Sequence, residues 1–235
     1  MPELPAQAGH SPQVGAAPGQ LETVREFVNT LDIDLGADQL STPEALAGWL
    51  AEHDLLPPPR PGRGTGRIAG SAGTAPAASA ADVRHAVELR EALRGVLASH
   101  LVSAADQERA GSRGRGAGAV PEPAVPEPAI ADPVAELRRI AGSLRARLDV
   151  SDDGQVVAAP DGLGPAAGLT RILLIAAEAS ATGTWSRLKV CGADDCRWAF
   201  YDRSPTRSAC WCSMRICGAR AKSRAYRRRA ARRPS

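Results

Sequence analysis

The residues best suited to chemistry in this 235-residue chain are its five cysteines, Cys191, Cys196, Cys210, Cys212 and Cys217. Cys191-x4-Cys196 and Cys212-x4-Cys217 repeat one spacing, with fifteen residues between the two pairs. Zinc takes four thiolate or imidazole ligands in a tetrahedron, and two short loops that turn back on themselves supply two ligands each. The spacing therefore predicts one structural Zn2+ held by Cys191, Cys196, Cys212 and Cys217. Gly192 to Asp195, "GADD", suits a tight knuckle between the first two. Cys210 is left over, because it lies two residues from Cys212 and a one-residue gap accommodates a ligand pair less readily than a four-residue gap. The competing uses of these thiols are core filling and a redox pair of Cys210 with Cys212, which no Cys-x-x-Cys supports. An odd count argues against a complete disulfide framework, and close spacing in a reducing compartment favours metal ligands.

Positive charge follows the thiols at once. Residues 185–235 hold 14 of the 29 Lys and Arg and 3 of the 26 Asp and Glu, a net +11, against a net −8 for residues 1–184. Such a tail seeks polyanions. Arg220, Lys222, Arg224, Arg227, Arg228 and Arg229 fall on a predicted helix opened by the second cysteine pair, and Arg232 and Arg233 extend it. Arginine matches phosphate bidentately, so this helix is expected to lie against double-stranded DNA and displace counterions. The same charge permits RNA binding with exposed aromatic side chains, docking to an acidic protein partner, or a merely solubilising tail. Base contacts are not legible here, because phosphate contacts carry no sequence information.

Nothing else in the chain assembles a reaction centre, so no enzyme is expected. His10, His53, His85 and His100 are scattered, with no cysteine or plausible Ser/Asp partner beside them. A basic n-region followed by an apolar h-region is missing from the N-terminus, and the longest aliphatic run, Ile172 to Ala177, stops at Glu178. A cytoplasmic protein without a membrane segment is expected, nucleoid-associated if it binds DNA.

The elements that must position the cysteines divide the chain near residue 184, since six of its eight aromatic residues lie beyond that point. Residues 1–20 read as disordered. Leu21, Val24, Phe27, Val28 and Leu31 predict a first helix ending near Asp32, and "STPEALAGWL" a second, capped by Ser41 or Thr42, with a Ser41–Glu44 capping box and Leu46, Trp49 and Leu50 inward. Two Pro/Gly/Ala-rich inserts, 57–80 and 110–131, read as flexible. Between them a long helix runs from an Asp82 cap through Leu101, and after them another starts at Asp132-Pro133 with a buried stripe of Val134, Leu137, Ile140, Ala141, Leu144 and Leu148. Asp153-Gly154 marks a hairpin turn, and Gly183 stops the most buried helix. "RLKV" and "RWAFYD" form a two-stranded hairpin with the first knuckle at its tip. The expected fold class is α+β: a predominantly helical N-terminal domain with a small β-hairpin, and a C-terminal treble-clef-like zinc finger.

At Leu188 to Arg229 the residues carry a resemblance. The four cysteines, Trp198, Phe200-Tyr201-Asp202, Trp211-Cys212-Ser213-Met214 and Cys217-Gly218 resemble the CGNR zinc finger, and residues 21–184, with "FVNTLD" at 27–32, are similar to the ABATE domain that accompanies it. Ala219 stands where the signature has Asn, which leaves zinc binding intact and removes any cap or nucleic-acid contact that Asn makes. The resemblance implies a stress-associated transcription regulator whose finger (185–235) binds DNA while the body senses an unidentified small-molecule ligand.

Overall fold

The computed structural model describes residues 15–56, 76–111 and 131–231, apart from the side chains of 102–111, 229 and 231. Among the described residues, six α-helices and three two-stranded antiparallel ladders follow in the order α1 (Leu21–Val28), β1 (Leu31–Asp32), β2 (Ala37–Asp38), α2 (Pro43–Glu52), α3 (Ala80–Gly111), α4 (Pro133–Ser143), β3 (Ala146–Val150), β4 (Val156–Pro160), α5 (Pro165–Ala181), β5 (Leu188–Val190), β6 (Ala199–Tyr201) and α6 (Ala219–Ala231). This is the expected α+β class.

Helix α3 is the hub. It packs against α1, α2, α4, α5 and strand β5, and its inward Leu89, Leu93 and Leu97 are fully buried with Phe27, Leu46, Leu50, Leu169 and Ile172 from the helices around it. The core does not stop at residue 184: Leu188, Val190 and Ala199 belong to the same cluster. An aliphatic body and a short hairpin share one interior because the hairpin's inner face is itself aliphatic.

Local chemistry explains where the helices begin. Thr42, not Ser41, caps α2, its hydroxyl accepting from the Ala45 N–H at 3.2 Å with Pro43 in the first turn. Asp132 caps α4 by accepting from Val134 and Ala135 N–H. At α3 the sequence reading is corrected: Ser79 is the cap and Asp82 its reciprocal partner, the Asp82 carboxylate accepting from the Ser79 N–H at 2.9 Å while the Ser79 hydroxyl accepts from the Asp82 N–H at 3.3 Å. Asp82 thus plays the part that Glu plays in a capping box.

Three further expectations are revised. Helix α1 ends at Val28, because Asn29 turns its side chain to another strand and Leu31–Asp32 pair with Ala37–Asp38, the turn using Gly36 at φ +66°. Residues 15–20, within the expected disordered N-terminus, are tethered through two of them: Ala17 is buried, its N–H donates to Glu22, and Arg203 donates to the Ala16 carbonyl. The inserts 57–80 and 110–131 lie outside the described residues except for 76–80, 110–111 and 131, where Ala80 and Gly111 already belong to α3. The β3–β4 hairpin pairs Val150 with Val156 across a turn with Gly154 at φ +84°. Leu148, placed in the buried stripe of α4, belongs instead to β3 and is 77% exposed.

Candidate metal centre and nucleic-acid interface

Strand β5 delivers Cys191, and the knuckle closes by backbone hydrogen bonds. The Cys191 N–H donates to the Trp198 carbonyl at 2.9 Å, and the Cys196 and Arg197 N–H groups both donate to Ala193 at 3.0 Å. Arg197 then takes a left-handed turn, φ +49°, that returns the chain into β6.

After β6 the second pair of thiols must be brought back to the first. Asp202 does this. Its carboxylate, with 0% side-chain exposure, accepts from Lys189 Nζ at 2.8 Å, from Ser204 N–H at 2.9 Å and from Ala209 N–H at 3.0 Å, so it folds loop 203–209 around itself. Burial opposes ionisation of Asp202, but the hydrogen bonds from Lys189 and Ser204 outweigh it and hold the carboxyl below its ordinary range. Lys189, 1% exposed, also donates to the Arg207 carbonyl. The returning chain is stitched to the knuckle where the Gly192 N–H donates to the Cys210 carbonyl at 2.9 Å. One π turn, Met214–Gly218, then carries Cys217 into α6.

The outcome is a cluster of four buried thiols, Cys191, Cys196, Cys212 and Cys217, whose sulfurs all lie within 4.8 Å of one another. Cys196 and Cys212 are 3.6 Å apart, and Cys212 and Cys217 3.7 Å. Four sulfurs about 2.3 Å from a tetrahedral zinc stand about 3.8 Å from each other, so the cluster has the size that zinc demands. Crowding splits the thiols. Hydrogen bonds from its neighbours, Cys191 first, hold Cys217 toward thiolate and Cys196 likewise, whereas hydrogen bonding with Cys196 pushes Cys191 up and hydrogen bonding with Cys191 pushes Cys212 up. A divalent cation removes that conflict by letting all four ionise together. Phe200 and Ala193 are buried against the sulfurs, with Trp198, Trp211 and Ile216 half-buried around them. Cys210 stands outside the cluster, half-buried, its Sγ 3.3 Å from the Ser208 carbonyl.

The basic residues divide by face. Arg220, Arg224 and Arg227 line one groove with Arg215, Ile216, Ala219 and Ser223, while Ala221 and Ala225 pack inward. Lys222 and Arg228 are exposed but do not line this groove, and the side chain of Arg229, like Arg232 and Arg233, lies outside the described residues. Asp195 on the knuckle approaches Arg224 at 3.4 Å and Arg220 at 4.0 Å. Sequence reading passed over Arg215 because it sits between two ligands; its signal was the 215, 220, 224, 227 recurrence across a helix opened by one π turn.

Sequence reading also missed the residues that dock the finger on the body. Asn29 pairs with strand β6 like a further strand, donating to the Ala199 carbonyl at 2.9 Å and accepting from its N–H at 2.7 Å. Arg94, 1% exposed, donates to the Arg197 carbonyl at 3.0 Å and to Val28. His100 Nδ1 is 2.7 Å from the Leu188 carbonyl, its ring edge against Trp185. Burial pulls His100 below the ordinary histidine range, which keeps the ring neutral with Nδ1–H as the donor. His53 stacks on Trp49, and neither it nor His85 joins the thiols.

A four-thiol centre buried at the junction of a hairpin and a helix defines a zinc-finger protein. Consistent with it, residues 187–230 match the profile of the CGNR zinc finger, and residues 21–184 that of ABATE, described as "putative stress-induced transcription regulator". The chain belongs to the ABATE family, with a CGNR finger at its C-terminal end. No curated protein matches it as a relative. Among the described residues no helix is long and apolar enough to cross a membrane.

Proposed function

We propose that the protein is a transcription regulator, not an enzyme, that binds double-stranded DNA in the cytoplasm through the zinc-anchored helix α6 and whose helical body responds to a small-molecule ligand. The observation that carries this reading is the convergence of Arg215, Arg220, Arg224 and Arg227 on one groove at the helix that Cys217 enters. Three guanidinium groups of α6 and that of Arg215 from the turn before it, gathered on one groove, fit the phosphates of a duplex, and the metal fixes that helix against the hairpin. The family description supports regulation.

RNA is the second reading, favoured by Tyr226, 74% exposed on the same helix and free to stack on an unpaired base. Trp198, the other aromatic candidate, is committed to packing on the metal cluster.

Binding of the full-length, zinc-loaded protein to a mixed-sequence duplex, followed by anisotropy over a salt series, tests the proposal. Replacing Arg220, Arg224 and Arg227 together by Ala is expected to lower affinity for every duplex and to reduce the log–log salt slope by about three units, with zinc retained. A wild type and triple variant with equal slopes would overturn it. Preference for single-stranded RNA, lost in Tyr226→Ala, would establish the second reading instead.

A further inference from the structure

Helix α4 carries an apolar stripe that its periodicity says should be covered, yet only Ile140 is buried. Val134, Leu137, Ala141 and Leu144 line an open cavity of about 490 Å³ between α4 and α5, with Leu93 and Trp185 also in its wall, while Leu137 and Leu144 touch the core as well. Val134 is 44% exposed there. The opposite wall, from α5, is equally apolar: Leu173, Leu174, Ala176 and Ala177. Its volume falls within the about 300 to 1,000 Å³ of sites that enclose small molecules.

The polar groups on the wall narrow the occupant. Thr170 and Ser180 have their hydroxyl protons committed to the Ala166 and Ala176 carbonyls at 2.8 Å each, so neither donor is free for a polar ligand. Among the described residues, Arg138 is the single charged residue of the lining, no carboxylate lines the cavity with it, and it has no ion-pair or hydrogen-bond partner. We infer that this cavity binds an amphiphilic carboxylate, its apolar body between α4 and α5 and its anionic end at Arg138. The inference deepens, and rests on, the proposed response of the body to a small molecule. Trp185 relates site to finger: it lines the cavity, meets His100 edge-on, and begins the short turn that leads into β5 and Cys191.

Calorimetric titration of the full-length zinc-loaded protein with decanoate and with decanol, below their micelle or solubility limits, tests the site without nucleic acid. Decanoate is expected to bind one to one and about tenfold tighter than decanol, as a charge-assisted contact adds to equal apolar burial. Arg138→Gln should bring decanoate to the level of decanol. Ala177→Phe, which fills the cavity from the α5 wall at an exposed position, should abolish both while the melting temperature of the ligand-free protein holds. Binding indifferent to both substitutions, or no saturable binding, overturns the inference. So does a wild type that dimerises without binding decanoate and is made monomeric by Ala177→Phe, since the cleft is then an interface. Decanoate binding that leaves duplex affinity unchanged would count against the regulatory response and leave the site standing.

Discussion

Individual side chains divide between those that hold the metal and those that hold the metal's support. Cys191→Ser, Cys196→Ser, Cys212→Ser and Cys217→Ser are each expected to weaken zinc binding, because four thiolates fill the tetrahedron, whereas Cys210→Ser should leave the stoichiometry at one. Competition with a colorimetric chelator reads this directly. Asn29 acts 170 positions away in sequence. In Asn29→Ala both backbone groups of buried Ala199 lose their partner, a cost of about 2 to 4 kcal/mol measurable by denaturant unfolding. Asp38 offers a pH signature remote from the thiols. Burial opposes its ionisation, but the bidentate hydrogen bonds of Arg90 at 2.7 and 2.9 Å prevail and hold its folded pKa below the unfolded value. The stabilisation is therefore fully present above the unfolded pKa, near 4, and is lost as pH falls through the folded pKa. Asp38→Asn should cost about 2 kcal/mol at neutral pH, less than a fully buried pair because Asp38 keeps solvent contact and Glu91 still pairs with Arg90. The gap between variant and wild type should close below about pH 4.

Among the elements, α6 depends on the metal and α4 on its neighbours. Helix α6 buries only Ala221 and Ala225 among its described side chains, and five of the other nine are basic, so like-charge repulsion along it is unopposed by much apolar contact. The anchor is Cys217 in the turn before it. Chelation should release about 10 to 16 kcal/mol of metal-linked folding energy in the finger and lose the π turn and α6 first. Hydrogen exchange should show amides of 214–231 deprotected while α3 and α5 stay protected; uniform protection with and without chelator would refute this. Pattern reading located α4 well, since Asp132-Pro133 is a start signal set by local geometry. It erred on the far end, where Leu148 continued the apolar recurrence into what is a strand; a hydrophobic period can run on across the end of a helix that it does not itself encode.

The molecule as a whole is less divisible than its composition. Aromatic content and charge both change near residue 184, yet Leu188, Val190 and Ala199 complete the core of the body, and Arg94, Asn29 and His100 pair with backbone groups of the finger. Truncation after residue 184 removes two large aliphatic side chains worth about 1.5 to 3 kcal/mol each and takes the Arg197 carbonyl from buried Arg94, which keeps Glu91 and Val28. Against a total of about 5 to 15 kcal/mol, the body alone is expected to unfold or aggregate, and the full chain to melt in one calorimetric transition. Two separate transitions, with a stable 1–184 fragment, would show that the finger is an appended module.

What the sequence determined by itself is what short-range geometry determines. Two x4 spacings suffice to pick four thiols of five, because a ligand loop closes within a few residues; Asp132 and Gly183 mark helix ends because caps act on their own turn. The tertiary structure alone decided which arginines share a groove, that Asn29 serves as an edge strand for Ala199, and that the apolar stripe of α4 lines a cavity as well as packing on the core. Each of these pairs a side chain with something distant in the chain. No local propensity encodes such a partner; it is settled only when α3 has gathered the other elements and fixed which surfaces remain uncovered.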